Sequence, residues 1–156
     1  AASKKNTIVS WVLAVPIAGV FVAMGALPKL TGDPYSVALF NKVATASFVP
    51  EGMADVSRFA VGVTELAAAV LILIPKTRVY GAVLAVLAML GALTAHFITP
   101  LGVGSDLTIN EAQQVIGDVT IDENLPPLFF MALGLLVVSA VNIWWNRHDL
   151  PFASKN

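Results

Sequence analysis

Charge is scarce in this chain. Of its 156 residues only 12% are charged, 57% are hydrophobic, and the mean hydropathy is +0.81. A soluble domain of this length carries about a quarter charged residues, so half the usual charge cannot clothe a water-facing monomer. The deficit points to lipid as the solvent. Cysteine is absent. That excludes disulfides, thiolate metal sites and thiol catalysis by the chain itself, and leaves its compartment undecided. Net charge is also nearly missing at −1, which gives no basis for nucleic acid or an acidic substrate as partner.

What fills the space is a set of long apolar runs. A helix needs about 20 mostly apolar residues to cross the hydrocarbon. Runs over about 7–27, 57–74, 79–98 and 127–145 meet that need. Lys4 and Lys5 ahead of the first run look like the start of a signal peptide, but the run reads as an uncleaved membrane helix. Pro16 lies inside it, Pro75 and Pro100 close the second and third, and Pro126-Pro127 opens the fourth. The Trp144-Trp145 pair at its close suits an interface.

Basic residues set the expected orientation. Lys4, Lys5, Lys76, Arg78, Arg147 and Lys155 fall at one end of the spans. The third-to-fourth connection holds Asp106, Glu111, Asp118, Asp122 and Glu123 with no basic residue. This predicts a prokaryotic cytoplasmic-membrane protein, a single four-span domain over 1–156 with both termini in the cytoplasm. The fold class expected is an all-α antiparallel four-helix transmembrane bundle.

The outer connections are too long to be bare turns. Asp33 can cap a helix opened by Pro34, and Val37, Phe40, Ala44 and Phe48 recur at roughly helical spacing, which reads as a short interfacial helix. Leu107-Thr108-Ile109 and Val119-Thr120-Ile121 are β-branched runs that could pair as a small hairpin around a helical turn beginning at Asn110. Within the spans, Gly81, Ala85, Ala88, Ala92 and Ala95, with Gly62 and Ala69, form rows of small residues that suit helix seams more than a ligand groove.

Ionisable residues inside a span cost about 2.5–3.5 kcal/mol at its centre, so each needs a partner or a task. Topology brings Lys29, Arg58, Glu65 and His96 to the same outer half of the helices. Two readings are open. Glu65 is a buried carboxylate satisfied by Arg58 or Lys29 that fixes register, with Lys29 snorkelling and His96 capping its helix. Alternatively the group lines a pocket for a small anion or a quinone head, with Glu65 and His96 exchanging protons. No metal site is expected, since His96 and His148 belong to opposite faces.

The segments Gly25-Ala26-Leu27-Pro28-Lys29-Leu30, Gly62-Val63-Thr64-Glu65-Leu66-Ala67 with Leu71 to Pro75, and Gly81-Ala82 through Met89-Leu90-Gly91-Ala92 to His96 resemble the DoxX family of four-helix membrane proteins. The likeness spans roughly residues 10–100 and marks Lys29, Glu65 and His96 as the family-like polar positions. It implies a compact membrane bundle, and, for some relatives, membership of a thiosulfate:quinone oxidoreductase. The acidic stretch from Gly102 to Asn124 departs from that pattern. Two functions are expected from residues and resemblance together. One is an accessory subunit of a larger redox membrane complex, with lipid and other membrane subunits as partners. The other is a quinone-linked oxidoreductase subunit acting on a sulfur anion such as thiosulfate. With no cysteine and no haem or iron–sulfur ligand pattern, the chain would need a bound cofactor or redox partner to pass electrons.

Overall fold

The computed structural model describes residues 4–102, 105–109, 115–120 and 128–150. The chain runs as α1 (Lys4–Val20), a π-helical turn (Phe21–Ala26), α2 (Leu27–Thr31), α3 (Pro34–Ala44), α4 (Met53–Leu73), α5 (Arg78–Ile98), β1 (Ser105–Ile109), β2 (Val115–Thr120), α6 (Leu128–Trp145) and a 3-10 turn (Arg147–Asp149). Four helical stretches are long and apolar enough to cross a membrane: Asn6–Thr31, Met53–Leu73, Arg78–Ile98 and Leu128–Trp145. Their outer faces keep large apolar side chains uncovered, with Val12 64% and Phe97 70% exposed. Such surface is far in excess of what a soluble monomer leaves in water.

Proline sets the ends of several helices. A residue before proline is pushed towards extended backbone. Ile74, before Pro75, ends α4 at φ −90, ψ 115, and Thr99, before Pro100, ends α5 at φ −120, ψ 168. The first span differs from its expected extent. It continues past Leu27 to Thr31, so Lys29 lies within the helix rather than at its end. The continuation passes through the π-turn, where the Leu27 N–H reaches back to the Val22 carbonyl. Pro28, having no N–H, loosens the α-helical ladder at the same place. Gly32 then stops α2 in the left-handed region at φ 75, a conformation open to glycine at no steric cost.

Asp33 caps α3 by accepting from the Tyr35 and Ser36 N–H groups at 3.1 and 3.3 Å, with Pro34 in the first turn. The helix ends at Ala44, so Phe48 falls in the following turn and is exposed rather than continuing the Phe40 face. β1 and β2 pair antiparallel, Ser105 opposite Thr120 and Leu107 opposite Asp118, with an irregularity between Thr108 and Ile109. Ile121 and the stretch from Asn110 lie outside the described residues.

The long helices meet in a ring: α1 touches α4 and α6, and α5 touches α4 and α6. Their directions follow from side-chain contacts. Trp145 Nε1 donates to the Asn6 carbonyl at 3.4 Å, and Arg78 stacks on Trp11 at 4.3 Å. The starts of α1 and α5 and the end of α6 therefore share one end. At the far end His96, late in α5, meets Phe129, early in α6, edge to face at 5.5 Å.

Between them the interior is built from Ala14, Ile17, Ala18, Phe21, Ala68, Ala69, Ile72, Ala85 and Met89. Alanine predominates because lipid offers no hydrophobic drive between helices, and contact must come from close approach. The tightest seam is at Gly81, where a Cβ would stand 2.5 Å from the Ile72 backbone nitrogen. Gly134 has open space around its missing Cβ. Gly81→Ala should therefore overpack the α4–α5 seam at a cost of about 1–3 kcal/mol. Gly134→Ala should be neutral or gain up to about 1 kcal/mol. Thermal unfolding of the detergent-solubilised variants measures both, and equal midpoints would refute the seam.

Candidate functional site

A cavity of about 480 Å³ opens among the far halves of the helices. One wall is the π-turn, with Phe21, Met24 and Gly25, continued by Lys29 of α2. Thr64 and Glu65 come from α4, Ala88, Ala92, Ala95 and His96 from α5, and Met131, Ala132 and Leu135 from α6. Leu39, Phe40 and Val43 of α3 lie across it. The small-residue row of α5 thus divides. Gly81 and Ala85 form the seam with its neighbours, while Ala88, Ala92 and Ala95 leave room for the cavity.

At its polar edge Lys29 Nζ donates to Glu65 Oε2 at 2.9 Å and to the Gly25 carbonyl at 3.2 Å. The pair is well shielded, with side-chain exposures of 16% and 5%. Glu65 can stand there because residue 25 is glycine. A Cβ at that position would lie 2.6 Å from Glu65 Oε2, inside contact distance. Gly62 does the same for the other partner, since its Cβ would press on Lys29 Cβ at 3.0 Å.

The four residues singled out from the sequence separate here. Lys29, Glu65 and His96 line the one cavity, and Arg58 does not. Arg58 is buried beside it, donating to Asp55 at 2.9 Å and to the Lys29 backbone carbonyl, with its guanidinium over Phe59 at 4.5 Å. It ties the end of α2 to α4, and among the described residues Glu65 takes its cation from Lys29. His96 Nδ1 lies 2.6 Å from the Gly102 carbonyl. A carbonyl only accepts, so Nδ1 carries a hydrogen, and Nε2 is the ring nitrogen left to face the cavity's contents. Gly102, at φ 72, turns the chain to bring that carbonyl in. Among the described residues no three histidine, aspartate or glutamate side chains gather in a metal-binding group.

The opposite end carries polar residues that the sequence reading passed over. Ser10 donates to Asn146 at 2.8 Å, and Asn146 donates to Asn142 at 3.0 Å. Ser139 and Asn142 are fully buried. The signal was available: Ser139, Asn142 and Asn146 recur at three and four residues in an otherwise apolar span, a polar stripe of which Asn146 makes the contact to Ser10 of α1. Attention to formal charge alone hid it.

Four long apolar helices define a multi-pass membrane protein. Within that class the family model described as methylamine utilisation protein MauE matches residues 6–107, well over half the chain, and the chain belongs to that family. No curated protein and no solved structure shows a match. The resemblance to DoxX proteins is thereby corrected. The segments that suggested it are glycines and alanines at helical spacing and prolines at helix ends. Gly62 and Gly81 answer to close packing in lipid, a demand that unrelated four-span proteins share.

The ion pair makes a quantitative prediction. Removing one partner leaves the other charge buried and unpaired, costing about 3–5 kcal/mol. Glu65→Leu and Lys29→Met should each lose about that much, and the double variant should recover most of it. A double-mutant cycle read by unfolding in mixed micelles measures the coupling. Additive losses would remove the pair from its central place.

Proposed function

We propose that the chain is an accessory membrane subunit of the redox system serving methylamine utilisation, with a cavity for an uncharged amphipathic molecule of quinone type. The observation that carries the ligand class is the self-neutralised pair on the cavity's edge. Lys29 has given its charge to Glu65 and a second N–H to Gly25. A small anion would meet little net positive charge there. A carbonyl oxygen could accept the remaining Lys29 N–H, and His96 Nε2 could accept from a hydroxyl. The volume of about 480 Å³ falls in the usual range of roughly 300–1,000 Å³ for small-molecule sites, and Phe21, Met24, Phe40 and Met131 offer apolar walls. Oxidising a methylamine carbon releases electrons, which a membrane quinone is suited to take.

The sulfur-anion reading rested on the DoxX resemblance and goes with it. The helices would cross a prokaryotic cytoplasmic membrane as an antiparallel bundle with both termini inside. That orientation is supported by Lys76, Arg78 and Arg147 at one end against the acidic connection at the other, and α3 would lie along the outer interface over the cavity.

Three measurements test this. A fluorescent reporter fused to the C-terminus should light up, and an alkaline phosphatase fused there should stay inactive; the reverse outcome inverts the topology. A photoreactive quinone analogue should label the wild-type chain at π-turn or α5 residues. Ala92→Trp, which fills the cavity and leaves the ion pair intact, should abolish that labelling at unchanged unfolding temperature. Undiminished labelling of Ala92→Trp refutes the cavity as the quinone site. Gentle purification from native membranes should bring redox subunits with the chain, and its isolation alone would oppose the accessory role.

A further inference from the structure

At the end where α1 starts, a smaller pocket of about 240 Å³ is lined by Ser10, Trp11, Arg78, Trp145, Asn146 and Asp149, among others. Arg78 is the unusual member. Only 4% of it is exposed, yet its Nη2 has no hydrogen-bond partner among the described residues. Its other contacts hold it still: Nε donates to the Ile72 carbonyl at 2.9 Å, and the guanidinium lies over Trp11 at 4.3 Å. A buried cationic donor left open costs stability unless something accepts from it. Ser10 and Asn146 are already bonded to each other at 2.8 Å. Among the described residues the pocket therefore holds a fixed arginine donor without an acceptor.

We propose that this pocket binds the phosphoethanolamine headgroup of a membrane phospholipid, its phosphate on Arg78 and its ammonium at Asp149. Depth comes first. Trp11 and Trp145 line the pocket, and tryptophan favours the level of lipid headgroups. Charge comes second. Arginine matches phosphate oxygens, but the exposed carboxylate of Asp149 on the same wall repels a ligand that is only anionic. A zwitterion with a cation next to its phosphate meets both groups. A primary ammonium has N–H donors for Asp149, and the trimethylated ammonium of phosphatidylcholine has none. Volume comes third, because about 240 Å³ is small for a drug-sized ligand and suits a headgroup with its tails outside. The inference is independent of the quinone cavity at the other end.

Native mass spectrometry of the full chain in detergent, titrated with phosphatidylethanolamine, phosphatidylglycerol, phosphatidylcholine or inorganic phosphate, tests it. Phosphatidylethanolamine should be retained about tenfold or more over the other two lipids, as a lost charged hydrogen bond implies. Asp149→Asn should erase the preference over phosphatidylglycerol. Arg78→Gln should lose all three lipids. Asp149 is exposed, so Asp149→Asn decides the matter even where Arg78→Gln fails to fold. Equal retention of phosphatidylcholine, or a preference unchanged in Asp149→Asn, overturns the proposal. Inorganic phosphate held as tightly as phosphatidylethanolamine would make free phosphate the ligand and overturn the lipid as its source.

Discussion

The ion pair between Lys29 and Glu65 is the constraint around which the far half of this protein is arranged. At the depth of a membrane span neither charge is tolerable alone, so α2 and α4 must approach until the Nζ–Oε2 distance reaches 2.9 Å. That approach dictates what surrounds it. Gly25 and Gly62 are the residues against which Glu65 and Lys29 rest, and a Cβ on either would push its neighbour away. Arg58 reaches from α4 to the Lys29 carbonyl and so holds the turn that presents Lys29. The π-turn adds to this, since Gly25 belongs to it and lends Lys29 a carbonyl. A π-turn widens the helix locally and is often found where function requires an altered side-chain direction.

Cavity and seam are alternative uses of the same small residues. Along α5, glycine and alanine recur at three and four positions. Near Gly81 the gap they leave is filled by α4 backbone. Nearer His96 the alanines Ala88, Ala92 and Ala95 are cavity wall, with the ion pair and α3 among the other walls. Small side chains permit contact; they do not enforce it. Whether a row of alanines is a seam depends on what its partner helix can bring to it.

Much of the fold was legible because membrane helices are specified by length and apolarity, both local properties. The Asp33-Pro34 start of α3 was readable for the same reason, as a cap is a matter of adjacent residues. The extent of the first span was less so. Its continuation through Pro28 depends on a π-turn, and no periodicity announces one. For the site, topology brought Lys29, Glu65 and His96 to one end, since charges in apolar runs are conspicuous. Arg58 was conspicuous too, yet a count of depth could not tell cavity wall from the bond it makes to a backbone carbonyl. Ser10, Asn142 and Asn146 went unread because neutral polar residues carry little weight in a hydropathy profile. Family membership was misread from the features that packing in lipid imposes on many sequences.

The two ends of the molecule meet the same demand in different ways. Each holds a cation in an environment that penalises it. At the far end the solution is internal: Lys29 is answered by a carboxylate and a carbonyl of the same chain, leaving an edge that is polar but nearly neutral. At the other end Arg78 is only partly answered, by the Ile72 carbonyl and the Trp11 ring, and one nitrogen has no partner among the described residues. Asp149 shares the pocket wall and is exposed to solvent, its charge acting on the guanidinium without a hydrogen bond to the open nitrogen. An internally closed pair suits a site for uncharged molecules. An open arginine at the level of tryptophans suits a site that the surrounding membrane completes.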